Sequence, residues 1–580
     1  MIRFPLRAAL LVAIPIGLVA CKGGDSTPQR HTLIDSRDTY DPRSLDPALS
    51  TDVPTGRAVS YVFDGLTRFT PDAKLVPSLA ERWDVSPDGK MYTFHLRSGV
   101  HFQNGAPFTA HNVVHSFERV LDPATRGGRG WPLYPISGAR AFASGKAKHI
   151  AGLTALDDST VRITLDTALA VFPKLLAMPV ASIVPDSTPS NFGEHPIGTG
   201  PWKLVTWKHD DYLLFARNPD YFGGAPKADS LMARIIPEPS TAVAEFENGN
   251  VDLLYVPESD TQQWEETDDK KAMLTSAPAL RLFYMAINTT RGPLTDARVR
   301  QAINYAVDVK TIVDHLFGGR GRVAAGVIPP SLDGADTTRT PYGYDPAKAK
   351  QLLAAAGYPN GFDIELWHSQ DPAFARLALS IQGYLAAVGI RVKVVERDAA
   401  SVRAAAAEGN VDLIVKDWYA DYPDAEDFLY PLLHGANKGL GGNLSFYQNP
   451  TFDRLVTLAR SEQDDAKRTS LYRQADSLEF ADAPMLYLFF YSELDAVQPW
   501  ITGFQVPTVF NGQRWTDVSI GQPAATASSR AKEMSSRAER VSSGAKRVSS
   551  RAKRGISGDQ RDPSLTLGLT EARDSSLRSE

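Results

Sequence analysis

Hydrophobic and polar positions divide this chain into short alternating runs and longer helical ones. Trp83-Asp84-Val85 and Tyr92-Thr93-Phe94-His95-Leu96 alternate with period two, and Ser86-Pro87-Asp88-Gly89 between them has the Pro and Gly of a turn. The pattern predicts a hairpin. Asn104-Gly105 marks another turn. Thr109 then caps a helix on which Val113, Phe117, Val120 and Leu121 share one face. Leu282 to Asn288 reads as a strand that crosses into another lobe. Thr295 is placed to cap the next helix, with Val299, Ile303 and Ala306 on one side. Asp345-Pro346 opens a helix that runs through Lys348 to Ala356 and ends at Gly357. Val392 to Val395 and Leu413 to Val415 are short buried strands, and Pro484 to Tyr491 is the last strong one. Strand and helix alternate here, as in an α/β lobe.

The two ends differ from this middle. Arg3 and Arg7 precede an apolar run, Ala8 to Val19, too short to span a bilayer as a mature helix. It reads as a signal peptide, residues 1–20, to be left out of the fold. Cys21 follows Leu18-Val19-Ala20 and is the single cysteine, so no internal disulfide is available. Residues 21–30 are polar, with Gly23, Gly24 and Pro28, and suit a tether. Near the other end a seven-residue repeat starts at Ser528 and recurs at Ser535, Ser542 and Ser549. Ala531, Met534, Ala538, Val541, Ala545, Val548 and Ala552 trace a heptad seam, but Ala buries little surface. A disordered basic tail over 523–580 is favoured over a basic helix on an anionic surface.

The chain has 580 residues, enough for two or three domains, with 43% hydrophobic and 22% charged residues. A net charge of -5 leaves no nucleic-acid footprint in the overall balance. His111 and His115 are four apart on a helix, but no Glu completes a metal motif, so a solvated face is expected and no metal or cofactor. Gly198-Thr199-Gly200-Pro201 lacks the spacing of a phosphate loop.

The densest chemistry lies in Lys416-Asp417-Trp418-Tyr419-Ala420-Asp421-Tyr422-Pro423-Asp424. It follows the apolar Leu413-Ile414-Val415 and reads as a buried strand running out into a loop. One Trp and two Tyr beside carboxylates make a receptor for a cationic group with an apolar body. A surface turn with solvated acids is the competing reading. Asp421, Asp424, Glu426 and Asp427 also offer paired carboxylates, the raw material of a hydrolase, though no nucleophile elbow, Cys-His pair or metal triplet accompanies them.

Several separated strings resemble one family in order. They are Leu45-Asp46-Pro47, Asp64-Gly65-Leu66, the block through Asp122-Pro123, Gly198 to Trp202, Asn218 to Phe222, Glu247 to Asp252, Tyr344 to Pro359, and Trp418-Tyr419-Ala420-Asp421-Tyr422-Pro423-Asp424. Together they resemble the family 5 extracytoplasmic solute-binding proteins of ABC importers, from about residue 31 to about 520. The resemblance implies an α/β, two-lobed periplasmic-binding-protein fold of type II, with an extra domain inserted in the first lobe. The implied parts are 31–56, 191–278 and 489–522 for lobe I, 57–190 for the extra domain and 279–488 for lobe II. It implies that Asp421 pairs with the free α-ammonium of a peptide. Asp417, Trp418 and Tyr419 would contact the ligand backbone, with Asp52 and Val53 facing them from the first lobe. Leu18 to Cys21 resembles a bacterial lipobox, which makes Cys21 the lipid attachment site. The implied partners are a short peptide, an ABC permease complex and a membrane reached through the lipid anchor; the implied state is a monomer in the periplasm or cell envelope. The same scaffold also serves nickel chelates, oligosaccharides and other solutes, so a non-peptide ligand stays open.

Overall fold

The structure is a computed structural model that describes residues 31–521. The expected signal peptide, tether, Cys21 and basic repeat tail lie outside the described residues.

Eleven strands form one mixed sheet. Their spatial order is Arg391–Arg397, Asp363–Ser369, Leu413–Tyr419, Leu274–Ile287, Met485–Val497, Leu253–Tyr255, Thr32–Asp38, Ser230–Ile235, Tyr212–Arg217 and Trp202–Lys208. Gly321–Val323 pairs along the flank of Met485–Val497. Two long antiparallel strands, Leu274–Ile287 and Met485–Val497, run through both halves of this sheet. Leu274 to Pro278 pairs with Ala496 to Ser492 on the first-lobe side, and Leu282 to Ala286 pairs with Phe490 to Met485 on the second. The ladder is irregular between Pro278 and Leu282, where the chain passes from one lobe to the other. The expected strands, Leu282 to Asn288 and Pro484 to Tyr491, fall within these two, which extend further to Leu274 and to Val497.

The apolar periods bury as read. Phe283, Met285, Leu366 and Phe489 pack against Val299, Ile303, Leu377 and Ile381 in the second lobe. In the first, Trp202, Phe215 and Leu231 pack against Ala58, Val59 and Val62 of the helix Val53–Val62. That helix runs through residue 56, the expected end of a segment, and joins the first-lobe core. The motif Gly198-Thr199-Gly200 passes beneath it: a side chain at Gly200 would meet the carbonyl oxygens of Tyr61 and Val62 at 2.6 Å.

Ala80–Val85, Met91–Leu96, Thr160–Thr164 and Leu153–Asp157 form a separate antiparallel sheet. The predicted hairpin is its first pair, with Val85 opposite Tyr92. The helix Ala110–Leu121 packs on it and starts with a capping box between Thr109 and Asn112. His111 is exposed on this helix, but His115 is half-buried and its Nε2 has no hydrogen-bond partner among the described residues, so the solvated face covers one of the pair. The cap of the helix Ala297–Ala306 is Asp296, one residue past the expected Thr295. Asp296 accepts from the Arg298 amide at 2.8 Å, while Thr295 closes a preceding short turn onto Gly292. Asp345 and Pro346 open their helix as expected, with the Lys348 amide 2.9 Å from Asp345.

One buried knot ties the chain's beginning to its end. Asp64, in the Asp64-Gly65-Leu66 string, pairs with Arg514 and accepts from Thr199 Oγ1 at 2.8 Å and Tyr221 OH at 3.2 Å. Removing the carboxylate leaves a buried guanidinium uncompensated. Asp64→Ala is expected to cost about 3–5 kcal/mol in urea unfolding; a loss below about 1 kcal/mol would contradict the assignment.

A second buried pair sits where the lobes join. Arg37 donates to Asp35 at 2.9 Å and reaches Asp495 at 3.4 Å. Burial pushes the Asp495 carboxyl up to about 7 despite the pull of Arg37. The native state therefore holds a proton that the unfolded chain releases, and stability is expected to fall as pH rises from 3.8 to about 7. Asp495→Asn should flatten that slope in thermal unfolding measured across pH; an unchanged slope refutes the assignment.

Candidate functional site

The strand at the site is longer than its apolar triplet suggests. Leu413–Tyr419 stays paired with Ile287 to Arg281 throughout, so Lys416, Asp417, Trp418 and Tyr419 are strand residues. The expected loop starts only at Ala420, whose amide still donates to Leu280 O at 2.8 Å. Polar and aromatic side chains mask a backbone that keeps its ladder. Alternation puts Trp418 on the Leu282 face, and Asp417 and Tyr419 on the face of Arg281 and Phe283.

The opposite edge of this strand is open. The neighbouring Asp363–Ser369 pairs with it only at Leu413 and Ile414. Past Ile414, no strand among the described residues uses the amides and carbonyls on that side. An unpaired edge is a template for another extended chain.

Asp421 sits two residues beyond the end of this edge. Its side chain is 12% exposed and pairs with Arg129 at 27% exposure. Burial pushes the Asp421 carboxyl up, and Arg129 pulls it back down. Its backbone N–H donates to Asp427 Oδ2 at 2.8 Å. Trp418 Nε1 donates to the same oxygen at 3.3 Å. Asp427 thus fixes both the aromatic wall and the carboxylate's backbone. Burial, with Asp421 and Glu426 close by, holds the Asp427 carboxyl far above the usual carboxylate range.

The remaining acids are taken. Asp424 accepts from Lys174 at 2.6 Å and Arg468 at 2.8 Å. Burial alone would raise it, but these two cations hold it below the usual range. Glu426 pairs with Arg460 at 2.5 Å and accepts from Tyr422 OH. Three of the four carboxylates are therefore engaged within the fold, and the fourth, Asp421, pairs with Arg129.

Asp52 and Val53 stand at the start of the helix Val53–Val62. Asp52 caps it, accepting from the Thr55 amide at 3.0 Å. Phe510 links this helix to the site strand. Its ring lies where a side chain on Gly56 would be, and it meets the Tyr419 ring edge-on at 6.4 Å. Arg57 of the helix pairs with Asp38 at 2.5 Å. Asp417 is held by Arg281 at 2.9 Å, and Arg281 also lies 4.6 Å over the Phe283 ring. Asp427 thus joins Trp418 and Asp421, while Asp417 and Tyr419 lie on the other face of the strand, where Phe510 links Tyr419 to the helix that starts after Asp52.

Residue-by-residue reading missed Arg129, Lys174, Arg281 and Glu493. Glu493 faces Arg281, Arg57, Arg37 and Arg320, yet no cation among the described residues comes within 4.0 Å of it. Burial holds its carboxyl up against their pull. Arg129 left one signal: it sits in Arg126-Gly127-Gly128-Arg129-Gly130, a cation flanked by glycines. Among the described residues no group of three or more His, Cys, Asp or Glu could hold a metal ion, and no helix is long and apolar enough to cross a membrane.

Comparison with known proteins places this geometry. The sequence profile of bacterial extracellular solute-binding proteins, family 5 middle, matches residues 74–439. The heme-binding protein A of Haemophilus influenzae is 32% identical over 554 residues, covering 89% of this chain and 99% of that protein. The glutathione-binding protein GsiB of Pectobacterium atrosepticum is 33% identical over 476 residues, covering 80% of this chain and 89% of that protein. Among solved structures, the periplasmic binding protein DppA of Helicobacter pylori in complex with the peptide STSA matches with a TM-score of 0.70 at 29% identity. That match covers 85% of this chain and 98% of that one. The fold is that of the two-lobed type II periplasmic binding proteins.

The double acceptor role of Asp427 has a direct test. Asp427→Asn keeps an acceptor and should leave the Trp418 indole N–H resonance nearly in place. Asp427→Ala should shift it and loosen the loop 420–424 in hydrogen exchange. An unmoved indole resonance in Asp427→Ala would rule the contact out.

Proposed function

Because the chain belongs to the bacterial extracellular solute-binding proteins of family 5, we propose that it is the receptor of an ABC importer that captures short peptides by lobe closure. The observation that carries this reading is the open edge of Leu413–Tyr419 leading to the Asp421 carboxylate. An extended guest pairs its backbone with that edge, which gives affinity independent of side chains. Its α-ammonium meets Asp421, which sets the register. Trp418 and Tyr419 flank the first residues.

Closure follows from contact with both lobes. The two strands Leu274–Ile287 and Met485–Val497 carry the movement, and a guest touching both sides favours the closed state. Cys21 carries the lipid that holds the protein at the membrane, residues 21–30 give it reach, and the loaded monomer delivers its guest to the permease in the periplasm. Binding, not turnover, is the output, since Asp424, Glu426 and Asp427 are already engaged within the fold.

Asp421→Ala should abolish tight binding of di- to pentapeptides in isothermal titration, with the thermal transition retained. Leaving the guest's ammonium without its carboxylate in a closed cleft costs about 3–5 kcal/mol, or more than a hundredfold in affinity. Equal affinity in the variant would overturn the peptide reading.

A further inference from the structure

Four arginines meet where the lobes cross, and one acid in their midst lacks a cation. Arg37 and Arg57 come from the first lobe and pair with Asp35 and Asp38. Arg281 comes from the strand that enters the second lobe and pairs with Asp417. Arg320, on the second-lobe side, spends one terminal nitrogen on the Pro257 carbonyl at 3.0 Å. Glu493 lies in the field of all four, on the strand Met485–Val497, yet no cation among the described residues comes within 4.0 Å of it.

Its place in the ladder matters. Glu493 stands opposite Ala277, and the pairing turns irregular just beyond, between Pro278 and Leu282, where the chain passes from lobe to lobe. The backbone of Glu493 therefore belongs to the first-lobe side, while Arg281 pairs with the site strand of the second. In this structure the two sides are drawn together. Tyr419 of the site strand meets Phe510, and Lys174 of the inserted domain grips Asp424 at 2.6 Å. Burial first and Glu493 second push the Tyr419 phenol up, so the acid faces the site strand as well.

A carboxylate enclosed in this way is poorly solvated and without a close partner. Burial holds its carboxyl above the usual carboxylate range, against the pull of all four cations. The conformation with the lobes together therefore carries a cost, and that cost falls when they part and water reaches the acid. We infer that Glu493 acts as a spring at the crossing, its unpaired carboxylate biasing the empty protein toward the open form until a guest offsets the bias. The inference rests on the lobe-closure part of the receptor reading above, and it adds a residue that sets the balance between the two forms. Such a bias keeps the empty and the loaded receptor different in shape, which lets a delivery step tell them apart.

The test reads the lobe angle with no guest present. Val205, 58% exposed, lies on Trp202–Lys208 at one end of the large sheet. Leu379, 59% exposed, lies on the helix Pro372–Ala387, packed on Arg391–Arg397 at the other end. Spin labels on Val205→Cys and Leu379→Cys, in the mature chain with Cys21→Ser, give the distance between the lobes by double electron–electron resonance. In Glu493→Gln the ratio of short to long distances is expected to rise about fivefold or more over the parent. Glu493→Asp keeps the charge and is expected to keep the parent distribution. The Gln variant should melt no lower than the parent, because it removes a charge without a partner. An unchanged or lengthened distribution in Glu493→Gln, the same shortening in Glu493→Asp, or a Gln variant that melts lower or fails to fold each overturns the inference. If di- to pentapeptides shorten the parent's distance while Glu493→Gln leaves the guest-free distribution unmoved, the receptor reading stands without the spring. If the substitution shortens the distance but no peptide binds, the spring stands and the peptide guest does not.

Discussion

A carboxylate taken out of water needs a cation beside it or a proton on it, and Arg129 supplies the first to Asp421. The loop holding Asp421 is pinned by Asp427 from below and by Lys174 on Asp424 from the side. The side chain itself is left to Arg129, a cation on a glycine-flanked loop of another part of the chain. Burial makes the pair matter: in bulk solvent such a contact is worth little, whereas a buried partner is costly to remove. The internal cation leaves no naked charge on Asp421.

The remaining structure delivers that carboxylate to its place. Two long strands run through both halves of the sheet, and the strand leading to Asp421 pairs along one of them. Phe510, from the chain's return to the first lobe, fills the gap between Gly56 and Tyr419. The arginines at the crossing, Arg37, Arg57 and Arg281, are each matched with an acid, and Glu493 lies among them with no cation of the described residues within 4.0 Å. Charge is thus concentrated where the lobes meet. The outer cores, built from residues such as Trp202 and Leu231 on one side and Phe283 and Ile381 on the other, are apolar.

Local signals carried much of this. The hairpin at Val85 and Tyr92, the cap at Thr109, the Asp345-Pro346 helix start and the apolar halves of the two long strands, Leu282 to Ile287 and Met485 to Tyr491, all follow from residue patterns within a few positions. The misreadings were also local. Asp296 outcompeted Thr295 as a cap because its carboxylate reaches the Arg298 amide. The site strand ran on to Tyr419 because pairing with Arg281 to Tyr284 overrides the polar character of Lys416 and Asp417.

What the amino-acid order settled by itself was the set of elements, the family they compose and the identity of the acid at position 421. Those depend on short-range periodicity, capping and motif spacing. It did not settle who stands opposite that acid. Arg129 is 292 positions away in the chain, and Arg57, Arg281 and Glu493 meet only because two lobes fold onto a shared pair of strands. Pairing of distant charges is decided by where the backbone carries them, and no local pattern encodes that distance.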